Sequence, residues 1–409
     1  MQKKTRHKWV PGGITSPQGF SASGVRAGIK PHSPPDKKDV ALIFSAVPAT
    51  AAGVFTRNRV KAAPVILCRR RLKSRKIQAV IINSGNANAC TGPRGLADAE
   101  ESAAATAGRL RISPALVFVC STGTIGVPMP LDRMKKGINR AVEKLGRGGG
   151  RDAARAIMTT DTRAKEAAVR LRLGGKDVVI GAMAKGAGMI APRMATLLVF
   201  ITTDAAIAPA ALQDALSCAV EESFNRILVD GDQSTNDTVL CLASGLAGNR
   251  LIAAKQPAWD GFKAALTALC RKLAYMLVED GEGVTRVVRL DVKGAKNRME
   301  AEKVARAIAR SPLVKTSWFG ADPNWGRIMG AIGYSGAAVD PERISIDYEG
   351  RPAVVNGRSS GLPSETLKKI IARKKFAIGI NLRQGKASYS MLTCDCSLDY
   401  VRINADYMT

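Results

Sequence analysis

Apolar and polar positions alternate between two periods along this chain. KIQAVIIN (76–83) is a nearly unbroken apolar, β-branched run and predicts a buried strand, closed by the turn-rich SGNANACTG. Residues 96–110 are alanine-rich and predict a helix. A short apolar strand over 116–120 runs into Ser-Thr-Gly, and 131–145 has the spacing of an amphipathic helix. GRGGG (146–150) breaks the pattern and reads as a flexible connection. VRLRL (169–173) and 178–181 flank a Gly-Gly-Lys turn, which predicts a hairpin. TLLVFITT (196–203) predicts a buried strand, and helices are expected over 209–222 and 259–277.

Beyond residue 285 the texture changes to half-buried strands (VVRLDV, RISIDY, FAIGINL, ASYSML) with helices over 300–309 and 364–374. The expected organisation is a main domain, 1–285, and a C-terminal α/β domain, 286–409. The class is α/β or α+β, with sheets covered by helices.

Composition narrows this picture. Hydrophobic residues make up 46% and aromatics only 5% of the 409, so a large core is affordable but must be built from Ala, Val, Leu and Ile. No stretch approaches the roughly 20 apolar residues of a membrane span. The N-terminus MQKKTRHKWVPGG is basic without an apolar segment and does not read as a secretory signal, so a cytoplasmic location is expected. Most of the eight cysteines lie singly in apolar contexts, as reduced core residues do. Cys394 and Cys396 alone are close, and both histidines, His7 and His32, lie near the N-terminus. No structural metal and no histidine-based nucleophile is therefore expected.

The net charge of +28 favours adhesion to polyanions at low salt. Its densest run, RRRLKSRK (69–76), holds six cations in eight residues. It reads either as a polyanion patch or as a solvated face. No RNP-type aromatic motif or zinc-finger spacing accompanies it.

The most informative segment is KGAGMIAPRMATLLVFITTDA (185–205). A constrained Gly- and Pro-containing loop runs into an apolar strand headed by Thr196. Such a loop can strain the Ala195–Thr196 peptide, which the threonine hydroxyl can exploit in an N-to-O acyl shift. Cleavage would leave Thr196 with a free α-amine, ordinary pKa about 8, as base for its own hydroxyl.

This segment closely resembles the self-cleavage motif of the ornithine acetyltransferase (glutamate N-acetyltransferase) family. PGGITSPQGFSASGVRAGIK (11–30), GVFTRNRVKAAPV (53–65), INSGNANACTG (82–92), STGTIGVPMP (121–130), MTTDT (158–162), SFNRILVDGDQSTNDT (223–238), DGEG (280–283), ADPNWGRI (321–328) and the terminal DYVRINADYMT resemble its other blocks, in the same order. The resemblance implies an αββα-type sandwich, shared with self-processing aminopeptidases, and a smaller C-terminal domain. It implies cleavage between Ala195 and Thr196 into chains 1–195 and 196–409, which pair as α2β2. Thr196 matches the nucleophile, and Thr122 with Gly123 the oxyanion-hole pair. Thr162, Lys185, Thr196, Glu282, Asn404 and Thr409 match the substrate-binding positions. Lys185 would supply a cation for a carboxylate, and Glu282 an anion for an ammonium group.

The implied reaction is ping-pong transfer of acetyl from N-acetylornithine to glutamate in arginine biosynthesis, with no metal or organic cofactor. No motif separates enzymes that also accept acetyl-CoA from those that only recycle acetyl. One departure stands out: Arg193 occupies a position where the family commonly has Asn. The stretch Asp230, Asp232, Asn236, Asp237 has oxygen-ligand spacing for a metal loop but lacks a downstream Glu, and reads as a hydrogen-bonded turn near the active site. Trp325 is expected to be a packing anchor. Two rivals remain at this level: a hydrolase on the same scaffold, with water replacing glutamate, and a basic nucleic-acid-binding protein.

Overall fold

The computed structural model describes residues 7–31, 33–191 and 197–406. The chain divides into two units. The first runs to Asn225 and takes in Asp232–Leu277. The second takes Arg226–Gly231 and the chain from Val278 onward.

Among the described residues, the first unit holds nine strands: β1 (His7–Val10), β2 (Phe20–Val25), β3 (Val40–Phe55), β4 (Lys76–Asn86), β5 (Val117–Thr124), β6 (Lys165–Leu173), β7 (Lys176–Lys185), β8 (Leu198–Thr203) and β9 (Thr238–Ala243). They hydrogen-bond in the order β1-β6-β7-β8-β9-β3-β4-β5, with β2 added to β3. β3 links two halves. Its first part pairs with β2 and β4, its last part with β9, and the β3–β4 register shifts between Phe44 and Ala49. Pro48 lies in that gap, where a residue without an N–H cannot continue the ladder.

The two halves fold over one another. Ala41, Ile43, Val80, Ile82 and Phe118 from one share a buried cluster with Met183, Leu198, Phe200, Leu240 and Leu242 from the other. On the outer face of β3–β5, Leu42, Ala79, Ile81 and Val119 pack against Ala99, Ala103 and Ala107 of the helix Gly92–Leu110 and Met134 and Ile138 of the helix Leu131–Glu143. Outside the other half lie the helices Pro209–Glu221 and Pro257–Glu279. Gln213 of the first exchanges hydrogen bonds with Gly53 of β3. This is the αββα sandwich. Strands covered on both faces explain why β8 and β9 are buried at every residue and read as continuous apolar runs.

GRGGG corrects one expectation. It is no flexible linker: Arg147–Gly149 form a 3-10 turn leading into the helix Gly150–Ala156, and Gly146 pairs with Ala22 of β2. The glycines serve close approach. A Cβ on Gly149 would lie 1.9 Å from the Ala22 carbonyl oxygen.

The basic run at 69–76 is partly structural. Arg69, Arg70 and Arg71 end the helix Ala63–Arg71, where cations complement its dipole. Arg70 pairs with Glu100, Arg71 donates to the Val117 carbonyl and Arg75 to Gln213 Oε1. Among the described residues, no helix is long and apolar enough to cross a membrane, and no cluster of three or more His, Cys, Asp or Glu is placed to hold a metal.

The second unit has a six-stranded sheet, ordered from its edge Arg358–Ser359, Arg351–Val355, Ser345–Tyr348, Lys375–Asn381, Val287–Ala295, Ala387–Cys394. Only the Val287–Ala295 and Lys375–Asn381 pair is parallel. Val288, Leu290 and Val292 face a core that includes Val304 and Ile308 of the helix Arg298–Arg310, with Trp318 and Ile328; Arg289 and Lys293 point the other way. Trp325 packs against the edge of this core. The excursion Arg226–Gly231 joins the unit through Ile227, which bridges to Leu392.

Candidate active site

Ala195 and Thr196, with Arg193 and Thr409, lie outside the described residues. The site is therefore built from what surrounds the peptide that follows Thr196. Leu197 donates its backbone N–H to Asp237 Oδ1 at 2.9 Å and accepts from the Thr238 N–H at 3.1 Å. One residue later, Leu198 of β8 lies between Lys185 of β7 on one side and Thr238 of β9 on the other.

Lys185 is not a solvated loop lysine. It ends β7, is 2% exposed, and donates to Thr159 Oγ1 at 2.8 Å. Its ammonium lies 3.7 Å from Asp161, which also takes a 2.6 Å hydrogen bond from Lys165 and a 2.7 Å bond from the Gly186 N–H. Burial alone would raise the Asp161 pKa. Lys185 and Lys165, with the hydrogen bonds, outweigh it and lower the carboxyl to about 2. Asp237 goes the other way: burial raises it well above the usual carboxylate range, against the pull of the Leu197 N–H and Lys185. Two ammonium groups thus face one ionised carboxylate. Lys185 places a buried ammonium beside the start of β8, the charge that a substrate carboxylate requires.

Thr122 and Gly123 stand at the end of β5, in register with Ser84 and Gly85 of β4. Thr122 is 7% exposed. Gly123 has φ +134°, and a Cβ there would lie 2.3 Å from the Gly85 carbonyl carbon, so only glycine fits. Buried amides brace this turn. Ser121 donates to Asn83 Oδ1 at 2.6 Å, Asn83 to the Asn86 carbonyl at 2.8 Å, and Asn86 to the Val127 and Pro128 carbonyls. Thr162, beside Asp161, is exposed.

Sequence reasoning missed Asp161 and Lys165 as site residues, and gave Asn236 and Asp237 no role beyond a hydrogen-bonded turn near the active site. Asp161 and the Asn236–Asp237 pair sit inside the blocks MTTDT and STNDT, and their signal was an acid or amide embedded in a block whose threonine drew the attention. The 230–237 loop also resolves: Ser234 and Gln233 carbonyls accept from Thr56 Oγ1 (2.9 Å) and Asn58 Nδ2 (3.1 Å), and Asn236 and Asp237 are bonded to backbone.

In the second unit, Glu282 and Asn404 come together across 122 residues of chain. Asn404 Nδ2 donates to Glu282 Oε2 at 2.9 Å and to the Tyr400 carbonyl at 2.9 Å, inside the helix Leu398–Asp406. The DGEG loop is held against that helix. Ser397 donates to the Gly283 carbonyl, and a Cβ on Gly283 would lie 2.4 Å from the Tyr400 nitrogen.

The family profile described as the ArgJ family matches residues 21–409. The chain belongs to the ArgJ family. Among ArgJ relatives, the arginine biosynthesis bifunctional protein ArgJ of Symbiobacterium thermophilum is 49% identical over 402 residues, covering 98% of this chain and all of its own. That of Caldanaerobacter subterraneus subsp. tengcongensis is 45% identical, covering 98% and 99%. Of solved structures, the ArgJ protein of Bacillus halodurans is 44% identical with a TM-score of 0.49, covering 51% of this chain and 98% of that one. An ornithine acetyltransferase of Mycobacterium tuberculosis, solved with ornithine, is 41% identical with a TM-score of 0.42, covering 47% and 100%.

Proposed function

We propose that the protein is a self-cleaving acetyltransferase of arginine biosynthesis, moving acetyl from N-acetylornithine to glutamate through Thr196. Its membership of the ArgJ family carries this reading, over nearly the whole chain and beside relatives named for arginine biosynthesis. The buried ammonium of Lys185, beside the start of β8, supports a carboxylate-bearing substrate.

In maturation, Thr196 Oγ attacks the Ala195 carbonyl carbon. The Ala195–Thr196 C–N bond breaks, the nitrogen takes the hydroxyl proton and becomes the Thr196 amine, and an ester remains. Water hydrolyses that ester, releasing the Ala195 carboxylate and restoring the hydroxyl.

In transfer, the Thr196 amine takes the hydroxyl proton as Oγ attacks the acetyl carbonyl of N-acetylornithine. Negative charge on the oxygen falls to Thr122 and the Gly123 N–H, each donor contributing about 3 kcal/mol. The amide C–N bond breaks, the nitrogen is protonated and ornithine leaves. The glutamate amine then attacks the acetyl ester, N-acetylglutamate departs and Thr196 recovers its proton. Two easier steps replace one amide exchange.

Glu282, with Asn404, would hold the ammonium of ornithine, and Thr162 and Thr409 would complete substrate binding. Acetyl-CoA would be a second donor to the same Thr196, a reading in keeping with relatives named bifunctional. The chemistry as written calls for no metal or organic cofactor. The two processed chains would remain together as α2β2 in the cytoplasm.

Intact mass under denaturing conditions tests the proposal, on the protein and its Thr196→Ala variant, alongside acetyl transfer from N-acetylornithine to glutamate. Fragments of 195 and 214 residues (409 − 195 = 214) and transfer, both lost in the variant, are expected. A variant that still transfers at the normal rate would overturn the proposal. Release of acetate without need of glutamate would replace it with a hydrolase.

A further inference from the structure

Two adjacent residues reach in different directions from the start of β9. Asn236 Nδ2 donates to the Ser121 carbonyl at 2.8 Å and to the Ala87 carbonyl at 2.7 Å. Ser121 immediately precedes Thr122. Asp237 Oδ1 accepts the Leu197 N–H at 2.9 Å, and Leu197 immediately follows Thr196. The side chains are deeply buried, with the residues 6% and 0% exposed.

Asp237 is also costly where it stands. Its Oδ2 has no hydrogen-bond partner among the described residues, and an unsatisfied buried polar atom costs about 1–3 kcal/mol. A position kept only for stability would not favour that atom; a position kept to hold a backbone in place can tolerate it.

We propose that Asn236 and Asp237 are a positioning clamp that sets the separation between the Thr122–Gly123 oxyanion pair and Leu197, the residue that follows the nucleophile in the chain. This rests on the function proposed above. The clamp works because neighbouring Cα atoms are fixed at about 3.8 Å across a trans peptide. Asn236 grips the end of β5 and Asp237 the start of β8, so one peptide unit relates the two strand ends. Neither residue need touch the reacting atoms. Displacement of a reacting group by about 1 Å can cost roughly a hundredfold in rate, so the clamp acts on kcat rather than on binding.

The test uses the full-length protein and the variants Asn236→Ala, Asp237→Ala and Asp237→Asn. Cleavage is read by denaturing mass, kcat and KM from transfer of acetyl between N-acetylornithine and glutamate, and folding by thermal unfolding. Asn236→Ala and Asp237→Ala are expected to slow cleavage and to lower kcat at least about tenfold, with KM within about threefold. Asp237→Asn keeps an acceptor for the Leu197 N–H and is expected to restore both to within about threefold of wild type. Where the Asn236→Ala protein fails to fold, Asn236→Ser carries the same expectation.

A Thr122→Ala background separates positioning from stability. A clamp acting through that turn costs little more once the hydroxyl is gone, less than about threefold, whereas an independent structural effect multiplies in full. Normal kcat in Asn236→Ala and Asp237→Ala, a change in KM alone, or full additivity with Thr122→Ala would each overturn the clamp while leaving the proposed function intact. Wild-type protein that neither cleaves nor transfers would overturn the underlying function, and the clamp with it.

Discussion

Lys185 stands 3.7 Å from Asp161, both buried, with Lys165 on the carboxylate's other oxygen at 2.6 Å. The lysine that faces the β8 start is therefore held by a carboxylate that it shares with Lys165. That arrangement makes Asp161 the electrostatic support of the site.

Replacing Asp161 with Asn should remove the carboxylate that the two buried ammonium groups share, a loss of about 3–5 kcal/mol. The pH dependence follows from the sign of the shift. The folded pKa, about 2, lies below the ordinary 3.8, so the contribution is complete above about pH 4 and is lost as pH falls towards 2. Its size is roughly 2 kcal/mol. Urea unfolding between pH 7 and 3 should show the gap between wild type and variant narrowing towards acid; a constant gap would contradict it.

Thr122→Ala removes one oxyanion donor and leaves the Gly123 turn in place. Transfer should fall about a hundredfold in kcat with little change in KM. Steady-state kinetics on the cleaved enzyme decides the matter, and a change confined to KM would assign Thr122 to binding instead.

Glu282→Gln keeps the shape that accepts the Asn404 amide but removes the negative charge. Affinity for the ammonium-bearing substrate should weaken about tenfold, equivalent to roughly 1.4 kcal/mol, measured as KM for N-acetylornithine. An unchanged KM would place the ammonium elsewhere.

Gly149→Ala and Gly148→Ala form an internal control. The first forces a Cβ into the Ala22 carbonyl, and the second meets nothing within 4 Å. Thermal unfolding should show a loss of at least about 2 kcal/mol for Gly149→Ala and within about 0.5 kcal/mol for Gly148→Ala. Equal effects would restore the view of this stretch as a loose linker.

Much of the fold was legible along the chain because its signals are local. The Lys76–Asn86, Leu198–Thr203 and Val287–Ala295 strands were visible as apolar or alternating runs, and the 131–145 amphipathic spacing became the helix Leu131–Glu143. GRGGG misled for a physical reason. Glycine marks both a free chain and a chain pressed against another backbone, and only the neighbour tells which. The helices Pro312–Phe319 and Trp325–Gly333 passed unread because each is short. The excursion Arg226–Gly231, paired with a strand more than 160 residues away, has no local signature at all.

The sequence by itself determined the family and the order of its blocks, and pointed to the threonine that would carry the acyl group. These follow from residue types at fixed spacing, and spacing is a property of the chain. Only the tertiary structure decided that Lys185 is buried and shared with Asp161, that Asp161 and Asp237 have opposite protonation tendencies, and that Asn236 and Asp237 reach two different strands. Burial and partnership depend on residues brought from elsewhere in the chain. Asp161 answers to Lys165 and Lys185, whereas at Asp237 burial outweighs the Leu197 N–H and Lys185 and favours the neutral form.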